Sequence, residues 1–439
     1  MNTFAHRNTQ YFKMKTPSYK SAAEAVAYIK SGMRLFVQGS AATPLTLLHA
    51  LYDRRSDLNN VEITSLSTYG GEIFSKPDFG EHFFLNSLFV SSNVRDIVNT
   101  EAGDYIPTFL SEIPSLFDRN ILPIDVALIN VSPPDKHGYC SLGTSVDIVR
   151  AALRNAKHII AQVNTRMPRT HGDGILHIST FDTLVNVVDE LTEVSYTHKI
   201  TDEAMSIGRY IAELIDDRST LQMGIGHIPD AVLACLGNHK DLGIHTEMFS
   251  DGLLPLVEKG IITNTYKKKH RGKIITSFVV GTRKLYDFVD DNAMVGFLDI
   301  DYVNDTKVIR ENPKAISINS AIEIDITGQV CSDSIGTYQF SGVGGQIDFM
   351  RGASLSPGGK PIIAIETRTG KGLSKIVPTL KTGAGVVTTR AHIHYVVTEY
   401  GVADLFGMNL SQRACALRDI AHPDDREMLD RAIFERFKK

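Results

Sequence analysis

Short apolar runs alternate with amphipathic segments along most of this chain. Buried strands are predicted for the runs RLFVQGS, VEITSLS, VALINVS and HIIAQVN, which are rich in β-branched residues. Helices are predicted for SAAEAVAYIKSG and TPLTLLHALYDRR, in which apolar residues recur at helical spacing. Strands that alternate with helices in this way are typical of α/β domains with largely parallel sheets.

One part of this pattern occurs twice. A strand, a glycine turn, a proline and a helix follow one another in LFVQGSAATPLTLLHAL and again in TLQMGIGHIPDAVLACL. Gly39 and Pro44 align with Gly224 and Pro229 without a gap. A second pair of similar segments, DKHGYCSLG and DITGQVCSDSIG, follows in the same order. Together these matches indicate a duplicated α/β unit.

The chain is therefore predicted to contain two similar open α/β domains. Its 439 residues exceed the ~100–200 of an ordinary domain. The proposed domains are residues 1–195 and 204–439, and the polar stretch 190–203 contains the join. Two such domains form a cleft between them, and clefts at domain interfaces are favoured sites for ligands.

Composition excludes several other classes of protein. Apolar residues make up 43% and charged residues 22%, and the formal net charge is −4, so no nucleic-acid partner is predicted. The one basic cluster, KKKHRGK at 267–273, is interpreted as a solvated loop. The N-terminus lacks the apolar core of a signal peptide, and no run of ~18 apolar residues predicts a membrane span. The four cysteines form no C-x-x-C, which favours a reduced cytoplasm.

Two glycine clusters are candidate binding turns. The first, GIGHIPD from Gly224, follows a predicted strand and opens a helix, where a backbone can approach an anion closely. It matches neither G-x-G-x-x-G nor a P-loop, so it is either a structural turn or a binding turn. The second contains Gly342, Gly344 and Gly345 and is either a loop or bulge, or a second source of N–H donors for an oxyanion.

A third glycine cluster precedes His392 and His394, which alternate along a predicted strand. No acidic residue or cysteine stands at a suitable spacing from them, so no metal site is predicted.

The candidate nucleophile is a carboxylate. No G-x-S-x-G elbow is present, and no cysteine lies in an evident cationic setting. Glu247 follows the predicted buried strand LGIHT, and MFSDGLLPLVEKG after it predicts a turn and a helix. This places Glu247 at the carboxyl end of a strand, where α/β sheets bind their ligands. A rough alignment puts Leu66 at the equivalent point of the first half. The alternative is a surface carboxylate.

Several motifs along nearly the whole chain resemble one family. They are VSPPDKHGYCSLGTSVD, GIGHIPDAV, GIHTEMFSDG, DSIGTYQFSGVGGQIDFMRGA, SKIVP and VVTEYGVADL. In order and density they are similar to the acetyl-CoA hydrolase/transferase family of class I CoA-transferases. The resemblance implies two α/β domains with the active site between them. It also implies transfer of coenzyme A between a short-chain acyl-CoA and an acid such as 4-hydroxybutyrate, butyrate, acetate or itaconate.

By this resemblance, Glu247 attacks the acyl-CoA thioester and forms an acyl-glutamyl anhydride and then a glutamyl-CoA thioester. Backbone N–H groups at Ile225–Gly226 and Gly344–Gly345 are implied to stabilise the oxyanion, and Asn304 to orient the reacting carbonyl. Coenzyme A is implied to contact a larger set of residues: Gly224, Ile225, Gly226, His227, Ile228, Ile322, Gly344, Gly345, Gln346 and Lys375. The alternative for Lys375 is a surface lysine.

The resemblance further implies that coenzyme A is a substrate and that the protein is a homo-oligomer, namely a dimer. No prosthetic group or metal is predicted, and the predicted location is the cytoplasm. Two other functions remain open from the sequence. An acyl-CoA hydrolase would use the same glutamate and resolve the intermediate with water. A non-catalytic CoA-binding protein would not need Glu247.

Overall fold

The computed structural model describes residues 16–70, 72–195 and 200–438. Helices and strands alternate in both halves of this part, and two large sheets are built mainly from parallel pairs. The prediction of an α/β protein with two similar open sheets is confirmed. The N-terminal stretch, for which a signal peptide is predicted to be absent, lies outside the described residues, as do residues 196–199 of the predicted join.

The first half, within the described ranges, forms the strands β1 (Ser18–Tyr19), β2 (Arg34–Val37), β3 (Val61–Ser65), β4 (Phe83–Ser87), β5 (Gly103–Tyr105), β6 (Ile124–Val131), β7 (Tyr139–Ser141), β8 (Ala156–Asn164), β9 (His171–Gly172), β10 (Ile175–His177) and β11 (Thr183–Val187). Its helices are α1 (Ala22–Val26), α2 (Leu45–Asp53), α3 (Phe79–His82), α4 (Arg95–Val98), α5 (Ile113–Asp118) and α6 (Val149–Asn155).

The main sheet of this half has the order β1-β11-β8-β6-β2-β3-β4-β5, and each of its pairings is parallel. Its central strand β6 is buried along almost its whole length. A parallel sheet is covered on both faces, which is why its strands are continuous apolar runs in the sequence. The predicted helix over residues 21–32 is shorter than expected, because α1 ends at Val26 and turns lead on to Gly32, which has φ of +77°.

The second half forms the strands β12 (Thr220–Met223), β13 (Gly243–Ile244), β14 (Met248–Phe249), β15 (Ile274–Thr276), β16 (Phe278–Val279), β17 (Val295–Phe297), β18 (Ala315–Ser320), β19 (Glu323–Asp325), β20 (Val330–Cys331), β21 (Ser334–Ile335), β22 (Tyr338–Gln339), β23 (Lys360–Ala364), β24 (Ile376–Val377), β25 (Tyr395–Thr398) and β26 (Gly401–Asp404). Its helices are α7 (Asp202–Leu214), α8 (His227–Cys235), α9 (Leu254–Glu258), α10 (Arg283–Val289), α11 (Ile300–Val303), α12 (Thr306–Glu311), α13 (Gln346–Leu355), α14 (Leu410–Asp419) and α15 (Arg426–Phe437).

The main sheet of the second half has the order β13-β12-β18-β23-β25-β26, and only its last pair is antiparallel. The first half contains the corresponding order β3-β2-β6-β8-β11. In both sheets the glycine turn of the repeated motif leads from the second strand of this order into a helix. The internal similarity seen in the sequence is therefore a repeated sheet topology.

The strand register corrects one detail of the sequence alignment. Phe36 pairs with Thr64 in the first sheet, and Leu221 pairs with Ile244 in the second. Since Gly39 is equivalent to Gly224, Phe36 is equivalent to Leu221. Their strand partners, Thr64 and Ile244, are then also equivalent. Glu247 follows Ile244 by three residues and Ser67 follows Thr64 by three, so the equivalent of Glu247 is Ser67 and not Leu66. The two halves are out of register in the sequence here because their connecting loops differ in length.

The two halves share one hydrophobic core. The largest cluster of buried side chains includes residues of both main sheets, such as Phe36 and Leu221. Backbone pairing also crosses between the halves, because β9 pairs with β17 and the Val146 N–H donates to the Ser277 carbonyl at 3.0 Å. These contacts fix the relative placement of the two sheets.

One residue of the basic cluster contradicts the prediction of a solvated loop. Lys267 is only 1% exposed, and its ammonium donates to the carbonyls of Ile244 and Lys273 at 2.6 and 2.7 Å. Burial lowers the pKa of Lys267 to about 7. A charge run gives no sign that one member turns inward, because one of the two acceptors, the Ile244 carbonyl, lies outside the cluster. Within the described ranges, no helix has the length and apolar character needed to cross a bilayer.

Candidate active site

A cavity of about 170 Å³ lies at the carboxyl ends of the second sheet's strands. This is the usual place for ligands in an open α/β sheet. The first half contributes Phe89 to its wall, so the cavity lies where the two halves meet. The residues predicted from the sequence that line it are Gly224, Ile225, Ile228, Glu247, Gly344, Gly345 and Gln346.

Glu247 lies between β13 and β14, at the carboxyl end of a short strand, as the sequence predicts. Its carbonyl accepts hydrogen bonds from the backbone N–H groups of Ser277 and Phe278 at 2.9 and 3.1 Å. The Thr276 hydroxyl donates to the same carbonyl at 3.1 Å. The backbone of Glu247 is therefore fixed, and its carboxylate faces the cavity.

The side-chain amide of Asn304 joins two carboxylates. Its Nδ2 donates to Glu247 Oε2 and to Asp348 Oδ2, both at 3.2 Å. Asn304 is fully buried and follows the last residue of α11, whereas Asp348 lies in the first turn of α13. Because both neighbours are acceptors, the amide nitrogen and not the oxygen must face them.

Burial sets the electrostatics of this pair of carboxylates. It raises the pKa of Glu247 to about 7; the Asp348 carboxylate acts in the same direction, and the hydrogen bond from Asn304 opposes it. Burial also raises the pKa of Asp348 to about 6, against the hydrogen bonds from Ser111 and Asn304. A carboxylate withdrawn from water in this way is more reactive toward a carbonyl than a solvated one.

Both glycine turns line the cavity that contains the Glu247 carboxylate, and the second lies directly against it. A Cβ atom added to Gly345 would lie 2.0 Å from Glu247 Oε2 and 2.2 Å from Asn304 Nδ2, so the backbone passes directly against both groups. Gly226 precedes α8 with φ of +116°, a conformation that favours glycine. Both α8 and α13 begin at this point, and the first N–H groups of a helix have no intrahelical acceptor. These N–H groups can stabilise the negative charge that develops on an oxygen by donating hydrogen bonds to it.

The first half holds the second glycine turn in place. The Tyr105 hydroxyl accepts from the Val343 N–H at 2.8 Å, and the Leu110 N–H donates to the Gly344 carbonyl at 3.0 Å. The Phe89 ring lies against Gly344, where an added Cβ would approach Cε2 to 3.2 Å. The turn beside Glu247 thus depends on both halves of the chain.

Four residues predicted to contact coenzyme A are not among the described residues that line the cavity: Gly226, His227, Ile322 and Lys375. Two of them are near Glu366, which contacts His227 and acts on Lys375 through its charge. The His227 ring lies 2.9 Å from Glu366 Oε1, and the charges of Glu366 and Glu399 oppose the burial that lowers the pKa of Lys375. Lys375 is therefore a partly buried lysine near two glutamates and not a simple surface residue.

The two histidines of the third glycine cluster do not alternate along a strand, which corrects the prediction. His392 lies in a turn and contacts the Thr389 hydroxyl at 2.8 Å, and His394 precedes β25 with its ring packed on Phe406 at 4.3 Å. In the described part of the chain, no group of three or more histidine, cysteine, aspartate or glutamate side chains has the arrangement of a metal site.

The residues of this region that the sequence did not predict include Phe89, Ser111, Asp348 and Glu366. Asp348 follows the second glycine cluster by three residues, and a helix predicted from this point would have placed it near the turn. Phe89, Ser111 and Glu366 showed no motif or spacing that would predict a site, since all three are distant in the sequence from Glu247 and from both glycine turns.

Comparison with known proteins identifies the family of this chain. Family models for the acetyl-CoA hydrolase/transferase N-terminal domain and C-terminal domain match residues 2–198 and 281–433. The chain belongs to the acetyl-CoA hydrolase/transferase family. The family predicted from the sequence is confirmed.

Relatives that cover almost the whole chain carry transferase names. A succinyl-CoA:acetate/propanoyl-CoA:succinate CoA transferase of Fasciola hepatica is 53% identical over 94% of this chain and 87% of its own length. The 4-hydroxybutyrate coenzyme A transferase of Clostridium kluyveri is 49% identical over 95% of this chain and 97% of its own. The crystal structure of a 4-hydroxybutyrate CoA-transferase from Porphyromonas gingivalis is 39% identical, with a TM-score of 0.83 over 96% of this chain and 98% of that one.

These relatives confirm the prediction that this member of the acetyl-CoA hydrolase/transferase family is an enzyme that transfers coenzyme A. Coenzyme A therefore enters the reaction as a substrate. The acids and the intermediates are a separate question.

Proposed function

We propose that this enzyme moves coenzyme A between a short-chain acyl-CoA and a free carboxylate, through covalent intermediates on Glu247. One observation carries the proposal. The partly desolvated Glu247 carboxylate lines the cavity, accepts a hydrogen bond from Asn304 at 3.2 Å and lies against the backbone of Gly345. It is a nucleophile held in one position beside groups that can stabilise an oxyanion.

The first half-reaction begins when a carboxylate oxygen of Glu247 attacks the thioester carbonyl. The tetrahedral adduct collapses, the C–S bond breaks, and an acyl-glutamyl anhydride and the thiolate of coenzyme A remain. The thiolate then attacks the glutamyl carbonyl. The C–O bond of the anhydride breaks, the first acid leaves as its carboxylate, and a glutamyl-CoA thioester remains. A second carboxylate reverses these steps and leaves as the new acyl-CoA, so no net proton is consumed.

The backbone supplies the stabilising groups in this proposal. Each tetrahedral step places negative charge on an oxygen, and we assign its stabilisation to N–H groups at Ile225–Gly226 and Gly344–Gly345. One such donor contributes about 3 kcal/mol in other oxyanion holes. Asn304 orients the glutamate and the reacting carbonyl. The anhydride is sensitive to water, so transfer rather than hydrolysis requires that the bound substrates exclude water from the cavity.

The remaining predicted residues are proposed to bind coenzyme A. Gly224, Ile228 and Gln346 line the cavity, and we propose that they contact the pantetheine arm near the thioester. His227, which contacts Glu366, and Lys375 are proposed to contact a more distant part of coenzyme A, as is Ile322.

We propose acetate, butyrate and 4-hydroxybutyrate as the exchanged acids, since the Clostridium kluyveri relative is named for 4-hydroxybutyrate. The name of the Fasciola hepatica relative adds succinate and propanoate as acids to assay. We also propose residues 1–195 and 204–439 as the two domains, since each contains one main sheet. Location in the cytoplasm and assembly as a homodimer stay predictions.

The rate is expected to rise with pH through about 7. Only the ionised form of Glu247 attacks the thioester, and burial raises its pKa to about 7. We expect kcat/KM for acetyl-CoA to fall about tenfold for each pH unit below this value. Asn304→Ala is expected to move the midpoint upward, because it removes the hydrogen bond that lowers this pKa. A rate that stays constant from about pH 5 to about pH 8 would contradict the assignment.

The proposed intermediate can be detected directly. The enzyme is incubated briefly with acetyl-CoA or butyryl-CoA, digested and analysed by mass spectrometry. We expect a CoA-sized adduct on the peptide that contains Glu247, and its loss after treatment with hydroxylamine. Release of free coenzyme A without an acceptor acid would instead indicate a hydrolase. Bound acyl-CoA with neither adduct nor release would indicate a non-catalytic binding protein.

A further inference from the structure

Asp348 is a second buried carboxylate beside the nucleophile. It is 6% exposed, and its side chain does not line the cavity, so it is not placed to meet a substrate directly. Its link to Glu247 is the Asn304 amide, whose two N–H bonds point to the two carboxylates. The Asn304 amide is thus the side chain that hydrogen-bonds both Asp348 and Glu247.

The other side of Asp348 is held by the first half of the chain. The Ser111 hydroxyl donates to Asp348 Oδ1 at 2.9 Å, and the Ser111 N–H donates to Oδ2 at 3.2 Å. Together with Asn304, these bonds give Asp348 a fixed orientation. Ser111 belongs to the same turn as Leu110, which bonds the Gly344 carbonyl. One short segment of the first half thus contacts both Asp348 and the glycine turn beside Glu247.

Charge does not explain a carboxylate at this place. A negative Asp348 makes ionisation of Glu247 harder, and only ionised Glu247 is a nucleophile. Orientation does explain it. Without an acceptor at residue 348, the Asn304 amide can still donate to Glu247. It loses the second hydrogen bond, which fixes the rotation of the amide group about the bond to its Cβ. A rotated amide would turn Oδ1 toward the Glu247 carboxylate and repel it.

We propose that Asp348 is a positioning residue, which fixes the Asn304 amide so that Nδ2 donates to Glu247, and which connects this alignment to Ser111 of the first half. The inference rests on the proposed function of Glu247. It predicts that an acceptor at residue 348 is required, whereas a charge there is not.

Two substitutions separate the acceptor from the charge. Asp348→Asn keeps an oxygen that can accept from Asn304 and the Ser111 N–H, while its new amide nitrogen can donate to the Ser111 hydroxyl. Asp348→Ala removes the acceptor. We expect Asp348→Ala to lower kcat about 10- to 100-fold with KM for acyl-CoA almost unchanged, because the nucleophile is misaligned. Asp348→Asn is expected to stay within about fivefold of wild type.

A double variant tests the route through Asn304. If Asp348 acts through this amide, Asp348→Ala combined with Asn304→Ala loses no more activity than Asn304→Ala alone. Multiplied losses in the double variant, or a kcat for Asp348→Asn as low as that for Asp348→Ala, would overturn the proposal. Should Asp348→Ala fail to fold, Ser111→Ala removes the hydroxyl donor only, and we expect a several-fold fall in kcat. An unchanged kcat in Ser111→Ala would then count against the proposal.

A matched control and a direct readout complete the test. Asp125→Ala removes a carboxylate of the first half that accepts from the Arg34 N–H at 2.9 Å and contacts Lys157, at the amino end of β6. It is expected to retain wild-type kcat. The rate of adduct formation on Glu247 is measured in each variant. If the wild-type enzyme forms no adduct, the proposed function fails; if wild type and Asp348→Ala form it equally fast, only the positioning role fails.

Discussion

Glu247→Gln is expected to lower kcat about 10⁴-fold or more while the protein stays folded, as is typical when a covalent nucleophile is removed. Glutamine has the same shape as glutamate, and its side-chain oxygen can still accept from Asn304. It cannot attack a thioester, so neither anhydride nor glutamyl-CoA can form. The measurement is kcat for transfer from butyryl-CoA to acetate, together with the mass of the intact protein after incubation with acyl-CoA.

The same variant is expected to be more stable than wild type at pH 8. Burial raises the pKa of Glu247 from its ordinary value of 4.5 to about 7, so above pH 7 the folded protein must hold a buried charge. Each unit of such a shift corresponds to about 1.4 kcal/mol, which gives a cost on the order of 3 kcal/mol. As the pH falls from about 7 toward 4.5, the folded state gains the proton first and the advantage of glutamine disappears.

A control glutamate shows whether the loss of turnover and the gain in stability are specific to Glu247. Glu258 is an exposed residue that pairs with Lys284 on the surface, and Glu258→Gln is expected to change neither kcat nor the melting temperature. Glu247→Gln is expected to raise the melting temperature at pH 8 by a few degrees, and not at pH 4.5. A Glu247→Gln enzyme with wild-type turnover would refute the covalent mechanism.

Gly345→Ala is expected to lower kcat about 100-fold or more, because a displacement of about 1 Å at a reacting group costs roughly that much. The added Cβ would lie 2.0 Å from Glu247 Oε2 and 2.2 Å from Asn304 Nδ2, which is far inside contact distance. The backbone of Gly345 has φ of −98° and ψ of 11°, which alanine can adopt without strain. The effect therefore comes from the displaced carboxylate and amide and not from the backbone.

A second glycine supplies the matched control. Gly237 has no atom within 4 Å of an added Cβ and no positive φ, so Gly237→Ala is expected to retain wild-type kcat and a similar stability. Both variants are compared by kcat, by KM for acyl-CoA and by the rate of adduct formation on Glu247. A Gly345→Ala enzyme as active as Gly237→Ala would show that Glu247 does not react from the position described.

The sequence predicts much of the fold because the relevant information is local. Buried parallel strands are continuous apolar runs, and helices show their spacing, so the alternation of β2, α2, β3 and β6 could be predicted from the chain. The repeated glycine and proline pattern predicted a repeated unit, and the same strand order occurs in both main sheets. Boundaries were less accurate, since α1 ends where turns begin and not where apolar spacing ends.

The candidate site could be predicted in part. Glu247 and the two glycine turns were proposed from their places after strands or before helices, and the structure brings them around one cavity. Strand ends and helix starts are encoded in the local sequence, which is why Glu247 and the two glycine turns could be predicted. The predicted strand through His392 and His394 was wrong, because His392 lies in a turn and His394 only precedes β25. The predicted exposure of Lys267 was also wrong, because its ammonium is bound by the Ile244 carbonyl, which lies outside the basic cluster.

The sequence by itself determined an α/β enzyme with duplicated sheets, a glutamate at a strand end and glycine turns beside it. Only the tertiary structure decided how that glutamate is held. Asn304 lies 57 residues from Glu247 and 44 from Asp348, and Ser111 lies 237 from Asp348. Contacts at such separations follow no periodicity along the chain. They arise when two sheets pack on one core, and this packing also withdraws the two carboxylates from water and raises the pKa of each.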